Sequence, residues 1–208
     1  MDKIICVGKN YLEHARELGD SIPEKPVLFF KPESTLRKAL KKGESLTVEL
    51  PKDRGSVHHE LEVVLKIKKG GRFKDAASAR AAIGEVTVGL DMTLRDLQAQ
   101  LKKNGHPWEL AKSFAGSAIV GPWVSFADAS TLLSEPFTFS LGGSIRQKGL
   151  LKEMRMGLEE LLIYASEFFE ICEGDLIFTG TPSGVGPVTA GDEATIQWGP
   201  IEYQVRWR

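Results

Sequence analysis

Acidic residues stand where a run of apolar residues begins. Residues 58–62 read His-His-Glu-Leu-Glu and lead directly into Val63-Val64-Leu65. In a β-strand alternate side chains share a face, so Glu60 and Glu62 would point the same way about 7 Å apart, at roughly 3.4 Å per residue. Two such carboxylates repel each other unless a positive group lies between them, and Mg²⁺ or Mn²⁺ prefers oxygen ligands. The pattern indicates either a site for a hard divalent cation or two surface glutamates on an exposed strand.

A third carboxylate ends another apolar run. Residues 86–90 are strand-like, Asp91 follows them, and a polar helical pattern begins soon after. Asp91 could complete a three-carboxylate metal site, or it could be an acidic residue favoured at a helix N-terminus. The chain contains no CxxC and no HExxH, so the histidines beside Glu60 do not indicate zinc.

A histidine and a glutamate are placed three residues apart near the start of the chain. His14 and Glu17 belong to a short helical pattern, in which this spacing puts them side by side. A carboxylate beside an imidazole orients the ring and raises its basicity, which equips the pair as a general base. The same spacing also occurs on ordinary solvated helix faces.

Short strands separated by turns must position these groups. Glycine (21) and proline (10) fall between short apolar runs and not in one linker, which predicts many strands. Gly142-Gly143 lies between two alternating segments and predicts a hairpin. Helices are predicted over residues 11–18, 76–83, 93–102 and, with the clearest apolar stripe, 157–169. The chain of 208 residues is therefore predicted to be one strand-dominated α+β domain, residues 1–208. The predicted strands are 4–7, 27–30, 46–48, 61–67, 85–90, 124–125, 137–141, 175–178, 194–196 and 201–205.

The amino-acid composition argues against nucleic acid and membranes as binding partners. The formal net charge is −1, which gives no electrostatic footprint for nucleic acid, and no apolar run approaches the roughly 20 residues needed to cross a membrane. The first residues carry charge where a secretory signal needs an apolar stretch. Cys6 and Cys172 lie in apolar contexts and are expected to be buried free thiols. We therefore expect a cytoplasmic protein that handles a small molecule.

Several longer segments occur together in one order. They are CVGKNYLEHARE, PVLFFKP, HHELEVVL, GLDMTLRDLQ, WELAKSF, IRQKG and GDLIFTGTPSGVGPV, which run from Cys6 to Val188. Through them the chain resembles the fumarylacetoacetate hydrolase family, in particular its single-domain acylpyruvase-like branch. The resemblance implies a mixed β-sandwich roll with a few flanking helices, usually assembled as a homodimer.

The resemblance also implies roles for particular residues. Glu60, Glu62 and Asp91 match the family's ligands for Mg²⁺ or Mn²⁺. His14 and Glu17 match the pair that activates water, on a lid with a hinge near Gly19, and Lys112 matches a lysine beside the metal and its bound oxygens. The family's substrate contacts correspond to a further set, in which Lys9 stands where relatives often carry arginine. These residues are Lys9, Asn10, Tyr11, Lys31, Gln98, Gly180 and Thr181.

The implied activity is a metal-dependent hydrolysis of a C–C bond. Acylpyruvates, which are 2,4-diketo acids, would be cleaved to pyruvate and a carboxylic acid after His14 and Glu17 deprotonate a water molecule. Alternatives on the same enolate chemistry are oxaloacetate decarboxylation or tautomerisation, and isomerisation of 2-hydroxyhepta-2,4-diene-1,7-dioate. The remaining alternative is a metal- or ligand-binding scaffold without catalysis.

Overall fold

Strands make up most of the regular structure in the computed structural model, which describes residues 3–17 and 24–208. Most of the strands are short, and a few are longer. The strands are β1 (Ile4–Gly8), β2 (Val27–Lys31), β3 (Leu36–Lys38), β4 (Glu44–Val48), β5 (Val57–His59), β6 (Leu61–Ile67), β7 (Ile83–Asp91), β8 (Thr93–Leu94), β9 (Ala118–Val120), β10 (Val124–Ser125), β11 (Phe137–Leu141), β12 (Ser144–Gly149), β13 (Leu176–Phe178), β14 (Gly186–Val188), β15 (Glu193–Trp198) and β16 (Ile201–Trp207).

The described residues contain few helices, and all of these helices are short. Each of them is too short to cross a membrane. The α-helices are α1 (Leu12–Glu17), α2 (Ala76–Ala82), α3 (Arg95–Lys103), α4 (Glu109–Lys112) and α5 (Leu158–Phe168), and single 3₁₀ turns cover Glu33–Thr35, Phe126–Asp128, Leu132–Ser134 and Leu151–Glu153.

The largest sheet has apolar residues on both faces. Its strand order is β2-β1-β13-β6-β7-β9-β3, and β10 adds to β7. Side chains alternate along β6, so Val63 and Leu65 enter the main core whereas Val64 enters a smaller core on the opposite face. Burial on both faces explains why the sequence of this strand is continuously apolar. Glu62 shares the face of Val64, so its carboxylate lies at the edge of the smaller core.

A second sheet covers the face that Val63 and Leu65 enter. Its order is β12-β11-β15-β16-β4, and its aromatic residues Trp198, Tyr203 and Trp207 are fully buried in the main core. The Tyr203 hydroxyl donates to the Val88 carbonyl of the large sheet at 3.2 Å. The predicted hairpin joins β11 to β12, with Gly142 and Gly143 at φ values of 55° and 80°. These two sheets form the strand-dominated α+β fold predicted from the sequence.

A small third sheet gathers the segments that carry the acidic residues. In it β5 pairs with both β14 and β8, and His58 lies opposite Thr93. Three parts of the chain therefore meet at one place: the residues before Glu60, the residues after Asp91, and residues 179–186, Thr-Gly-Thr-Pro-Ser-Gly-Val-Gly, which we call the glycine-rich segment. This pairing also corrects a boundary: residues 93–94 form a strand and not the start of the predicted helix, which begins at Arg95.

The two cysteines differ in burial. Cys6 is buried as predicted, but Cys172 is only half-buried, since its segment is a turn before β13, where the Lys3 ammonium lies 3.6 Å from its sulfur. Both thiols are free. The predicted hinge near Gly19 lies outside the described residues.

Candidate functional site

Three buried carboxylates converge at the junction of β6 and β7. Glu60 directly precedes β6, Glu62 lies on β6, and Asp91 is the last residue of β7. The backbone N–H of Asp91 donates to the Glu60 carbonyl at 2.9 Å. One carboxylate oxygen from each residue lies within 4.8 Å of the others. The three residues are only 5%, 2% and 1% exposed, so the surface-glutamate interpretation is wrong. The helix-terminus interpretation of Asp91 is also wrong, because β8 separates it from α3.

Positive side chains surround this group. The Lys112 ammonium, on α4, donates to Glu60 Oε2 at 2.7 Å and to Asp91 Oδ2 at 2.8 Å. Arg95, the first residue of α3, pairs with the other oxygen of Glu60. Burial alone would raise the pKa of Glu60, but Lys112 and Arg95 outweigh burial and hold that pKa well below its usual range. Glu60 is therefore ionised at neutral pH.

Glu62 has the opposite electrostatic environment. Burial, followed by the charges of Asp91 and Glu60, raises the pKa of Glu62 well above its ordinary value. Its carboxylate accepts a hydrogen bond from the Gly180 N–H at 2.7 Å. A hard divalent cation would relieve the repulsion, and three carboxylates whose oxygens lie this close are the oxygen donors that Mg²⁺ and Mn²⁺ prefer. The residues present therefore fit such an ion.

Gly180 must be glycine for its backbone to reach Glu62. Its φ is +102°, and a Cβ at this position would lie 2.8 Å from Asn10 Cβ. The Asn10 amide in turn donates to the carbonyls of Thr179 at 2.9 Å and Met156 at 3.1 Å. Asn10 thus fixes the glycine-rich segment against the end of β1.

The histidine and glutamate that are predicted to act together as a general base, His14 and Glu17, lie on α1. His14 Nδ1 is 3.4 Å from Glu17 Oε2, and both Glu17 oxygens lie 3.1 Å from the Gly184 N–H, which donates to them. Burial, reinforced by Arg95, lowers the pKa of His14, although Glu60 and Glu17 act in the opposite direction. The imidazole is therefore neutral at pH 7 and able to accept a proton.

One cavity brings most of the predicted residues together. It is lined by Lys9, His14, Glu60, Glu62, Asp91, Gln98, Lys112 and Thr181 among others. Arg95, Lys102 and Trp108 also line it and were missed by sequence reasoning. A signal for Arg95 was present, because it precedes Gln98 by three residues in the predicted helix, and in the structure its guanidinium donates to Gln98 Oε1 at 2.7 Å.

Other predicted substrate contacts lie behind this cavity and bond to the protein. The Lys31 ammonium is 2.8 Å from Asp91 Oδ1 and donates to the carbonyls of Ser117 at 3.0 Å and Met92 at 3.2 Å. The Tyr11 hydroxyl donates to the Leu150 carbonyl at 3.4 Å, and burial, with Glu62 nearby, raises the pKa of that phenol. The substrate contact stays a prediction for all seven residues, including those that line the cavity. These seven residues are Lys9, Asn10, Tyr11, Lys31, Gln98, Gly180 and Thr181.

The chain is similar to several characterised proteins over nearly its whole length. It is 40% identical over 200 residues to an oxaloacetate tautomerase of Escherichia coli K12, an alignment that covers 94% of this chain and 88% of the relative. It is 38% identical over 189 residues to a mitochondrial oxaloacetate decarboxylase of Dictyostelium discoideum, which covers 91% and 85% of the two chains.

Among solved structures, the crystal structure of fumarylpyruvate hydrolase from Pseudomonas aeruginosa in complex with Mn²⁺ and pyruvate superposes with a TM-score of 0.92. The two sequences are 34% identical, and the match covers 100% of this chain and 91% of that one. The sequence profile of the protein family described as fumarylacetoacetate hydrolase C-terminal matches residues 3–206 of this chain. By sequence and by fold, the chain belongs to the fumarylacetoacetate hydrolase family of enzymes.

Proposed function

We propose that this protein is a divalent-metal-dependent enzyme that interconverts the keto and enol forms of oxaloacetate. The observation that carries the proposal is the buried group Glu60, Glu62 and Asp91 with Lys112 beside it, in a chain 40% identical to an oxaloacetate tautomerase. Acylpyruvate hydrolysis, the first expectation from the sequence, is supported less well, because the oxaloacetate tautomerase and decarboxylase are 40% and 38% identical to this chain whereas the fumarylpyruvate hydrolase is 34% identical.

The side chains have separable tasks in this reaction. Glu60, Glu62 and Asp91 would hold Mg²⁺ or Mn²⁺, which when bound supplies Lewis-acid charge to the oxygens of a 2-keto acid. Lys112 and Arg95 add fixed positive charge where negative charge develops on the substrate oxygen. The neutral His14 imidazole removes a proton from the carbon next to the keto group, a proton from solvent adds to the oxygen of the resulting enolate to give the enol, and the imidazolium returns its proton to solvent.

Hydrolysis of an acylpyruvate or of fumarylpyruvate is the second candidate. The contact of 3.4 Å between His14 and Glu17 favours it, since a base oriented by a carboxylate is suited to activating water. The similarity to fumarylpyruvate hydrolase supports it further. Both reactions form the enolate of a 2-keto acid, that of oxaloacetate in tautomerisation and that of pyruvate in hydrolysis, so the substrate decides between them.

The test is a pair of assays with the purified protein in Mg²⁺, in Mn²⁺ and in EDTA. Enol oxaloacetate is followed by its ultraviolet absorbance, and pyruvate is quantified separately. Fast metal-dependent loss of the enol without pyruvate supports tautomerisation, whereas stoichiometric pyruvate indicates decarboxylation. Turnover of acetylpyruvate to pyruvate and acetate, with oxaloacetate inert, contradicts the proposal and selects hydrolysis.

The expected assembly and location complete the proposal. We propose that the protein is a cytoplasmic homodimer. Apart from its second copy, its only expected partner is the small keto acid substrate. Leu40, Leu110 and Phe168 are 78%, 70% and 59% exposed, so large apolar side chains are available for self-association. Sedimentation equilibrium that gives the monomer mass at micromolar concentration contradicts the dimer.

A further inference from the structure

A buried glutamine lies behind the cavity and has no role in the proposal above. Gln147, on β12, is completely buried and its side-chain amide makes four short contacts. Oε1 is 2.8 Å from His59 Nδ1 and accepts from the Leu61 N–H at 2.9 Å. Nε2 donates to Thr181 Oγ1 at 2.8 Å and to the Pro182 carbonyl at 2.9 Å.

Two backbone groups fix the orientation of this amide. The Leu61 N–H can only donate, so the amide oxygen must face it, and the Pro182 carbonyl can only accept, so the NH₂ group must face that side. His59 Nδ1 consequently carries a hydrogen, because it faces the same amide oxygen. His59 is itself held by stacking on Phe139, with ring centroids 3.9 Å apart. The amide is therefore locked in one orientation.

The locked amide determines what the Thr181 hydroxyl can do. One NH₂ hydrogen of Gln147 points to the Thr181 oxygen, which is thereby an acceptor on its buried side. The Thr181 hydroxyl can donate to the Pro182 carbonyl, but at 3.4 Å this contact is long, and the same carbonyl accepts from Gln147 at 2.9 Å. Thr181 lines the cavity together with Glu62 and Asp91. A ligand oxygen inside the cavity at a normal hydrogen-bond distance would therefore compete well with the long Pro182 contact for the hydroxyl hydrogen.

We propose that Gln147 is a positioning residue that makes the Thr181 hydroxyl a hydrogen-bond donor to a carboxylate or keto oxygen of the bound keto acid. The inference rests on the proposed function for the identity of that ligand. The Leu61 N–H lies between Glu60 and Glu62 in the chain, so one amide couples the glycine-rich segment to the strand that carries the acidic group. Hydrogen bonding through Thr181 then sets the position of the substrate relative to these carboxylates.

The test is a double-mutant cycle of Gln147 and Thr181. Gln147→Glu keeps the size and places an acceptor where the NH₂ group was, which turns the Thr181 hydrogen away from the cavity, whereas Gln147→Met removes the contacts. Each change is made in the parent and in Thr181→Val. The Kd of oxalate, a dicarboxylate that resembles the enolate of pyruvate, is measured by calorimetry on Mg²⁺-loaded protein, alongside kcat/KM for oxaloacetate.

A lost hydrogen bond to a charged ligand corresponds to about 10- to 100-fold in these quantities. We expect this loss for both Gln147 variants in the parent, less than about twofold further loss in Thr181→Val, and an unchanged Kd for Mg²⁺. Gln197→Met, an exposed change on β15 of the same sheet, is the control and should be silent. Should Gln147→Met fail to fold, Gln147→Glu carries the test.

Equal losses in both backgrounds, or no loss in the parent, overturn the inference. A parallel weakening of Mg²⁺ binding also overturns it, because Gln147 would then support the metal ligands and not Thr181. If the parent binds oxalate with the expected cycle but does not turn over oxaloacetate, the proposed function fails and the positioning role stands.

Discussion

The acidic group and helix α1 face each other across one cavity but are held in different ways. Glu62 and Asp91 lie on paired strands of the largest sheet and Glu60 directly precedes one of them, and buried lysines contact Glu60 and Asp91. By contrast, α1 has six residues, well below the roughly 12–15 at which an isolated helix becomes stable. Its own contacts, such as that of Glu17 with Gly184, must keep it in place. The acidic group is therefore built into the core, whereas α1, which carries the proposed base His14, is a short helix held against that core by its own contacts.

This difference separates two kinds of functional loss. Removing a charge from the acidic group changes a buried network in which lysines and Arg95 compensate Glu60 and Asp91 while Glu62 is repelled by them, so both metal binding and stability change. Removing a side chain from α1 leaves that network intact. Variants on the two sides of the cavity should therefore differ in metal affinity much more than in activity.

The largest effect is expected for Glu62→Gln. Losing one of three charged ligands should raise the Kd for Mg²⁺ at least about 100-fold and lower kcat/KM for oxaloacetate by about 1,000-fold. Because the raised pKa of Glu62 costs stability as pH rises, the metal-free variant should unfold at a higher temperature than the metal-free parent at pH 8. Calorimetry and thermal unfolding in EDTA measure both effects.

Glu85→Gln is the matched control for this substitution. Glu85 lies on the same strand as Asp91, but its carboxylate is 38% exposed and pairs with Lys66 at 2.6 Å. Exposed pairs contribute little, so Mg²⁺ affinity should stay within about twofold of the parent. Unchanged metal binding in Glu62→Gln would remove Glu62 from the ion site.

His14→Ala should produce the next largest effect and distinguish the two candidate reactions. Loss of a general base lowers rates by about 100-fold or more, and attack by water depends on this base more than proton exchange at an acidic carbon does. Acetylpyruvate hydrolysis, if present, should therefore fall further than oxaloacetate tautomerisation, while the Kd for Mg²⁺ stays constant. Equal losses in both assays would identify His14 as a general proton carrier, and weaker Mg²⁺ binding would contradict the independence of the two sides.

The sequence predicted the acidic side of the cavity better than its surroundings. Alternation and apolar runs located β6, β7 and the β11–β12 hairpin, because these strands are long enough to show a period. The three-residue strand β5 and the two-residue strand β8 show none, and they form through long-range pairing that also moved the start of α3. Motif resemblance identified Lys31 and Lys112 equally, yet only folding shows that Lys31 bonds to three backbone carbonyls and Lys112 faces the cavity.

A smaller effect is expected in the pH dependence of stability. The pKa of His14 is lowered chiefly by burial, so the folded state disfavours its protonation. The unfolded chain takes up that proton as the pH falls below about 6.5, which destabilises the folded protein relative to a variant without the imidazole. The Tm of the parent minus that of His14→Gln should therefore decrease from pH 7.5 to pH 5. An increase over this range would mean that folding favours the protonated ring.

The smallest effect, and the sharpest test of α1, is expected for Glu17→Gln. The amide oxygen can still accept from the Gly184 N–H, so the helix should stay docked, but the negative charge that raises the pKa of His14 is lost. The acidic limb of kcat/KM should move to lower pH, with a loss of about threefold at pH 8 from the weaker base. Glu17→Ala removes both the charge and the contact. If Glu17→Ala and Glu17→Gln have identical activities and pH profiles, the contact with Gly184 does not hold α1, and the charge of Glu17 is its whole contribution.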